Sequence, residues 1–304
     1  MGIPKGDVDL NNKWAFALLV ILTTSLMGSS FAVGKMGMVH VSPLLLVGMR
    51  FTLAGLLMGT IVWMLRRPHP KKLQDWLKIV CIGSFQTAGV MGAIFLSLRT
   101  ITAGESAILT FMNPLLVVVF GTLALGIRYR LVQWCGVILG FIGVFVTMGG
   151  QLQAEIGTLL GFCSAVFWAI ATLLIKQWGQ RFDIWVLTAY QMLSGGLLLL
   201  IGSFLLEDAR LVINPTSIFI VLWLAIPASI VQFAIWFFLL QNGNPGKVSA
   251  FLFLAPFFGI LSGWLLLGED IGLTLLAGGA MIFAGIFLVN WPDKRAAAVL
   301  KEGI

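Results

Sequence analysis

Charge is scarce in this sequence. Asp, Glu, Lys and Arg make up 10% of 304 residues, against about 25% in soluble domains. That excludes a disordered chain, which needs high charge and low hydrophobicity. With 59% hydrophobic residues and a mean hydropathy of +1.02, it also excludes a soluble fold. A soluble domain of this size leaves about 25–30% of its unfolded surface in water, and this chain has too little polar surface for that. Cysteine is scarce too. Cys81, Cys135 and Cys163 all fall inside apolar runs, an odd, scattered set that argues against a disulfide framework or a metal site. We expect them as buried packing residues. The two histidines, His40 and His69, fall in loops, and no Asp or Glu lies deep within an apolar run. A buried Ser–His pair, a paired-aspartate site and a metal centre therefore all lack their residues. No enzyme is expected, and no cofactor.

What is present is length of apolar chain. Ten apolar stretches run roughly over 14–33, 43–64, 77–98, 104–125, 131–149, 157–175, 184–206, 217–240, 247–267 and 272–291. Most reach the ~20 residues that cross a bilayer. The first follows Lys13 but exceeds a signal-peptide core, and nine more follow, so it reads as a retained helix. The excess basic charge, +7, fits cytoplasmic loops better than a nucleic-acid partner. With the N-terminus inside, fifteen Lys and Arg fall on inner loops and tails. Lys35, Arg99 and Arg210 fall outside, and Arg50 falls within the second stretch. This bias places both termini in the cytoplasm.

The chain also repeats itself. An offset of 141 carries Lys35 onto Lys176, Arg50 onto Gln191 and Gly55 onto Gly196. An offset of 142 carries Gly104 onto Gly246, Pro114 onto Pro256, Gly121 onto Gly263, Gly126 onto Gly268, Gly136 onto Gly278 and Gly143 onto Gly285. Five spans per copy is odd, so the second copy must enter the membrane inverted. The loop charges agree: Arg66, Arg67, Lys71, Lys72 and Lys78 in one copy face Glu207, Asp208 and Arg210 in the other. The expected class is an all-α integral membrane protein of ten transmembrane helices, built as two inverted five-helix repeats. It divides into a cytoplasmic tail 1–13, a first repeat 14–150, a second, inverted repeat 155–292 and a cytoplasmic tail 293–304. Inverted repeats mark secondary transporters, which hold their substrate near the midplane between the halves.

These strings resemble a known group. Gly28-Ser29-Ser30-Phe31 followed by Lys35, then Ser42-Pro43 and Arg50-Phe51, are similar to the first two helices of the EamA-type branch of the drug/metabolite transporter superfamily. Asn113-Pro114 and Ala255-Pro256 resemble its prolines midway along the fourth and ninth helices. Leu267-Gly268-Glu269 resembles its "LGE" turn. The first copy of that turn departs from the pattern, reading Gly126-Ile127-Arg128. The resemblance covers almost the whole chain. It implies export, or sometimes import, of small polar metabolites, most commonly amino acids, across a bacterial inner membrane. Nucleotide-sugar and phosphate-ester carriers are relatives of the same fold.

A polar group in hydrocarbon costs several kcal/mol unless partnered, so intramembrane polar residues are the candidates for binding. Arg50 suits a substrate carboxylate; the alternative is snorkelling or capping of helix carbonyls. Gln86, Gln191 and Gln232 can both donate and accept, as cavity lining or as interhelical glue. Asn113 beside Pro114 makes a polar notch, and Pro256 repeats the kink; both prolines are candidate hinges or packing kinks. Trp168, Tyr190 and Trp236 fall mid-span and are candidate walls for an apolar side chain, or packing. Lys35, Lys176, Glu105 and Lys247 mark helix ends as anchors or gate residues. A Lys35–Glu105 pair closing the outer mouth is expected.

No span carries a deep carboxylate, so facilitated diffusion or exchange is favoured over proton coupling. Proton antiport through Glu105 stays open. A phosphate-ester cargo would call for several buried cations, and only Arg50 is inside. A passive channel remains a further class, less suited to an inverted repeat. The expected partners are a small-molecule substrate and the lipid bilayer. Short loops fit a chain that works as a monomer.

Overall fold

The computed structural model describes residues 13–147, 155–242, 251–289 and 291. Over these the chain is helical apart from turns and one isolated backbone bridge, Val41 to Leu211. We number ten helical segments. They are α1 (Lys13–Gly37), α2 (Pro43–Met64), α3 (Leu73–Gly83, Ser84–Gly89, Val90–Ser97), α4 (Ala103–Phe111, Asn113–Leu125) and α5 (Leu131–Thr147). Then follow α6 (Ile156–Trp178), α7 (Ile184–Leu206), α8 (Pro215–Ala225, Ile226–Val231, Gln232–Asn242), α9 (Leu254–Leu267) and α10 (Leu273–Val289). Seven are long and apolar enough to cross a membrane; α5, α9 and α10 are shorter apolar helices. Large apolar side chains such as Leu56, Ile138, Leu159, Phe204, Phe219 and Leu265 point outward. Water would not tolerate that belt; hydrocarbon does. The chain is an all-α membrane protein.

Local chemistry sets the helix ends. Pro43 and Pro215 stand in the first turns of α2 and α8, where a missing N–H costs no bond. Asp183 caps α7, Asn214 caps α8, and Thr102 with Glu105 forms a capping box at α4. Helices α4 and α9 end alike. Gly126 and Gly268 adopt φ of +63° and +64°, which glycine tolerates without strain. The next residues, Ile127 and Glu269, donate back to Gly121 and Gly263 at 3.0 and 3.2 Å.

The helices pack as α2 on α7, α5 on α10 and α1 on α9. Small residues set the closest approaches. A Cβ at Gly136 would stand 2.5 Å from the carbonyl of Gly285, and one at Gly143 would stand 2.7 Å from that of Gly278. Between α2 and α7, Gly55 meets Leu193 and Gly196 meets Thr52.

One expectation is corrected. Cys135 and Cys163 are exposed and Cys81 is half-buried; the two exposed thiols face outward with the apolar belt and fill no core. Pro256 stands in the first turn of α9, directly after the 3-10 turn Phe251–Phe253.

Candidate functional site

Three helices are irregular near their middles. In α3 and α8 the turns Ser84–Gly89 and Ile226–Val231 widen to π-helix, a device that re-aims side chains and is frequent at functional sites. Pro227 explains the second: it has no N–H and crowds the preceding turn. The Ser229 hydroxyl donates to the Leu224 carbonyl at 2.9 Å across the widened turn. Helix α4 breaks at Met112, before Pro114. Pro114 has no N–H to give the carbonyl of Thr110. The Asn113 side-chain amide donates to that carbonyl instead, at 3.5 Å. The Thr110 hydroxyl shares a 2.7 Å bond with Ser164 of α6, which donates to the Gly161 carbonyl at 2.6 Å.

These irregular turns border one cavity of about 410 Å³, within the ordinary range for small-molecule sites. Arg50, Gln86, Asn113, Trp168, Gln191, Gln232 and Trp236 all line it. Arg50 is 3% exposed. Its Nε donates to Ser229 Oγ at 2.9 Å and its Nη2 to the Ala228 carbonyl at 2.8 Å. Its guanidinium carbon stands 4.7 Å from the centre of the Phe51 ring, within cation–π range. The carbonyl-capping role and the cavity position therefore coexist in one side chain. Gln191 of α7 accepts from the Thr87 hydroxyl of α3 at 2.7 Å. The Gln232 side-chain nitrogen is buried and has no partner among the described residues. Aromatic rings wall the rest: Phe111 stands 5.3 Å from Trp168 and 6.2 Å from Phe31, with Phe95 and Phe233 also facing the space.

Tyr190 is the exception among the candidate lining residues. It packs edge-on against Trp76 at 4.8 Å, and its hydroxyl bonds His69 Nε2 at 3.1 Å. It thus ties α7 to the loop before α3 and lines no part of the cavity. The expected Lys35–Glu105 pair is also corrected. Lys35 Nζ pairs with Glu269 Oε1 at 2.8 Å and donates to the Ile101 carbonyl at 3.0 Å. Both Glu269 oxygens accept from the Ala103 N–H at 2.9 Å, so Glu269 caps the start of α4. Glu105 is occupied by Thr102, accepting from its N–H and its hydroxyl at 2.9 and 3.1 Å. Lys176 is exposed at the end of α6, and Lys247 lies outside the described residues.

Sequence reasoning passed over four contributors: Ser229, Thr87, Glu269 and the ring of Phe95. Serine and threonine are common in membrane helices and carry no signal singly. The repeat did carry one, because the 142 offset relates Thr87 to Ser229 just as 141 relates Arg50 to Gln191.

Comparison with known proteins identifies the family. The model of the EamA-like transporter family matches residues 14–149 and again 155–291. An uncharacterized transporter, YvbV of Bacillus subtilis (strain 168), is 32% identical over 94% of this chain and 96% of its own length. A probable amino-acid metabolite efflux pump of Salmonella typhimurium is 28% identical over 89% of this chain and 93% of its own. An uncharacterized inner membrane transporter of Escherichia coli, YedA, is 27% identical over 90% of this chain. A solved crystal structure shares the fold at a TM-score of 0.62 and 21% identity, covering 90% of this chain and 97% of that one. The two family matches together span nearly the whole sequence, and the chain belongs to the EamA-like transporters of the drug/metabolite transporter superfamily.

Proposed function

We propose that the chain is a secondary carrier of small polar metabolites, amino acids or related compounds first among them, that works by alternating access between two inverted five-helix halves. The observation that carries this proposal is the cavity itself. Side chains from both halves line it, and among the described residues Arg50 is the only Lys, Arg, Asp or Glu of the lining. One buried cation with several amides suits one carboxylate or a zwitterion better than a phosphate ester.

Inversion is supported by paired contacts. The 142 offset relates Gly136 to Gly278 and Gly143 to Gly285, and the contacts run Gly136–Gly285 and Gly143–Gly278. Each contact is therefore the other with its partners exchanged. At 141, Gly55–Leu193 and Thr52–Gly196 behave likewise. Such exchange is the mark of a twofold axis. The paired helices run oppositely, so the axis crosses them, in the membrane plane. The basic loops put both termini on the cytoplasmic side of a bacterial inner membrane. Single cysteines at His69 and Arg210, in a cysteine-free background, should label from the inside and the outside respectively.

Exchange or facilitated diffusion fits better than proton antiport through Glu105, because Glu105 is held in its capping box and lines no part of the cavity. Counterflow in proteoliposomes tests the proposal. Vesicles preloaded with amino acids, sugars or nucleotides should take up a labelled subset of amino acids without a pH gradient. Uptake that strictly requires a pH gradient would count for antiport. No exchange of any compound, by protein shown to be folded, would defeat the carrier reading.

A further inference from the structure

We infer that the cavity recognises its cargo through a carboxylate and a large apolar side chain, and not through an ammonium group. Amine-free aryl carboxylates should therefore occupy it as well as the corresponding amino acids. This rests on the cavity being the transport site, and it specifies the substrate class of that site.

The first observation is an unmet donor. Gln232 is 2% exposed, yet its side-chain nitrogen finds no partner among the described residues. Buried N–H groups are almost always paired, so an unpaired one in a side chain that lines the cavity asks for an acceptor. Gln232 stands one helical turn beyond Ala228 on α8, and so shares its face. The Ala228 carbonyl is the one that holds Arg50 Nη2. Arg50 spends Nε and Nη2 on α8, leaves Nη1 without a partner among the described residues, and lines the same cavity. Two donor-bearing side chains from different helices thus line one cavity, one of them cationic. A carboxylate is acceptor-only and has two oxygens, so it satisfies both.

The second observation is what the lining omits. It contains no Asp or Glu among the described residues. An ammonium ion would find no counter-charge there and would meet the field of Arg50. The third is the aromatic wall. Phe31, Phe95, Phe111, Trp168, Phe233 and Trp236 offer ring faces and edges to an apolar side chain.

Binding can be read apart from transport. The full chain in detergent would be titrated by calorimetry with L-phenylalanine, 3-phenylpropanoate and 2-phenylethylamine, alongside counterflow in vesicles. The acid should bind within about threefold of L-phenylalanine, and the amine at least about thirtyfold more weakly, the range expected when a charge-assisted bond is lost. Gln232→Leu should weaken both carboxylates about tenfold and equally. Gln232→Glu should reverse the preference toward the amine. The inference is overturned if the amine binds as well as the acid, if only the zwitterion binds, or if none of the three binds. Intact binding without counterflow would defeat the carrier proposal and leave this one standing.

Discussion

Arg50 and Gln191 hold matching places in the two halves and do different work. Arg50 reaches from α2 to Ser229 in the π-turn of α8, while Gln191 reaches from α7 to Thr87 in the π-turn of α3. The architecture of the two links is the same: a long polar side chain bonds a hydroxyl on a widened turn and lines the cavity. The charge differs. A second arginine at 191 would double the buried charge at a cost that no facing acid offsets. Glutamine keeps the bond and drops the charge. The cavity so acquires one polarised end in an otherwise symmetric frame. The lesson is that the repeat supplies the scaffold, and a departure from the repeat supplies the charge on which the proposed carboxylate recognition rests.

The largest effect should come from making the two positions alike. Arg50→Gln removes the cation while retaining an amide, and exchange should fall about 10- to 150-fold, the worth of a hydrogen bond to a charged group. Counterflow at matched reconstitution measures it. Ser229→Ala takes one acceptor from Arg50 and leaves the charge in place; exchange should fall about fivefold, for one hydrogen bond of about 1 kcal/mol. Thr87→Val breaks the equivalent bond in the neutral link. It should cost about 1 kcal/mol in thermal unfolding and leave exchange within about twofold, since no charge is being positioned. The smallest effect is expected at the outer end. A double-mutant cycle with Lys35→Met and Glu269→Gln should give a coupling of about 1 kcal/mol or less, because the Lys35 side chain is 29% exposed. A Thr87→Val variant as inactive as Arg50→Gln would break the comparison.

Much of the frame was legible in the sequence. Hydropathy placed α2 and α7 at their observed bounds, since a span buried in lipid must be continuously apolar. Gly126 and Gly268 announced two matching helix ends. Seven of the eight candidate binding residues line the cavity, because a polar side chain mid-span has few other places to go. Tyr190 does not, because its hydroxyl finds His69 and its ring finds Trp76 at the loop. The π-turns were not read from the sequence: a widened turn depends on how neighbouring helices pack, and only Pro227, in one of them, is a local signal. The partner of Lys35 was misassigned for a related reason. Glu105 is close in register, but its own N-cap claims it first, and the distant Glu269 is brought in by the turn at Gly268.

Alternating access requires the helix ends at Lys35 and Glu269, outer ends under the proposed topology, to separate in every transport cycle. Cysteines at Lys35 and Glu269, in an otherwise cysteine-free chain, can be joined by a short bifunctional, thiol-cleavable crosslinker. Alternating access predicts that crosslinking stops counterflow and that cleaving the linker restores it. Undiminished exchange in the fully crosslinked protein would contradict the account.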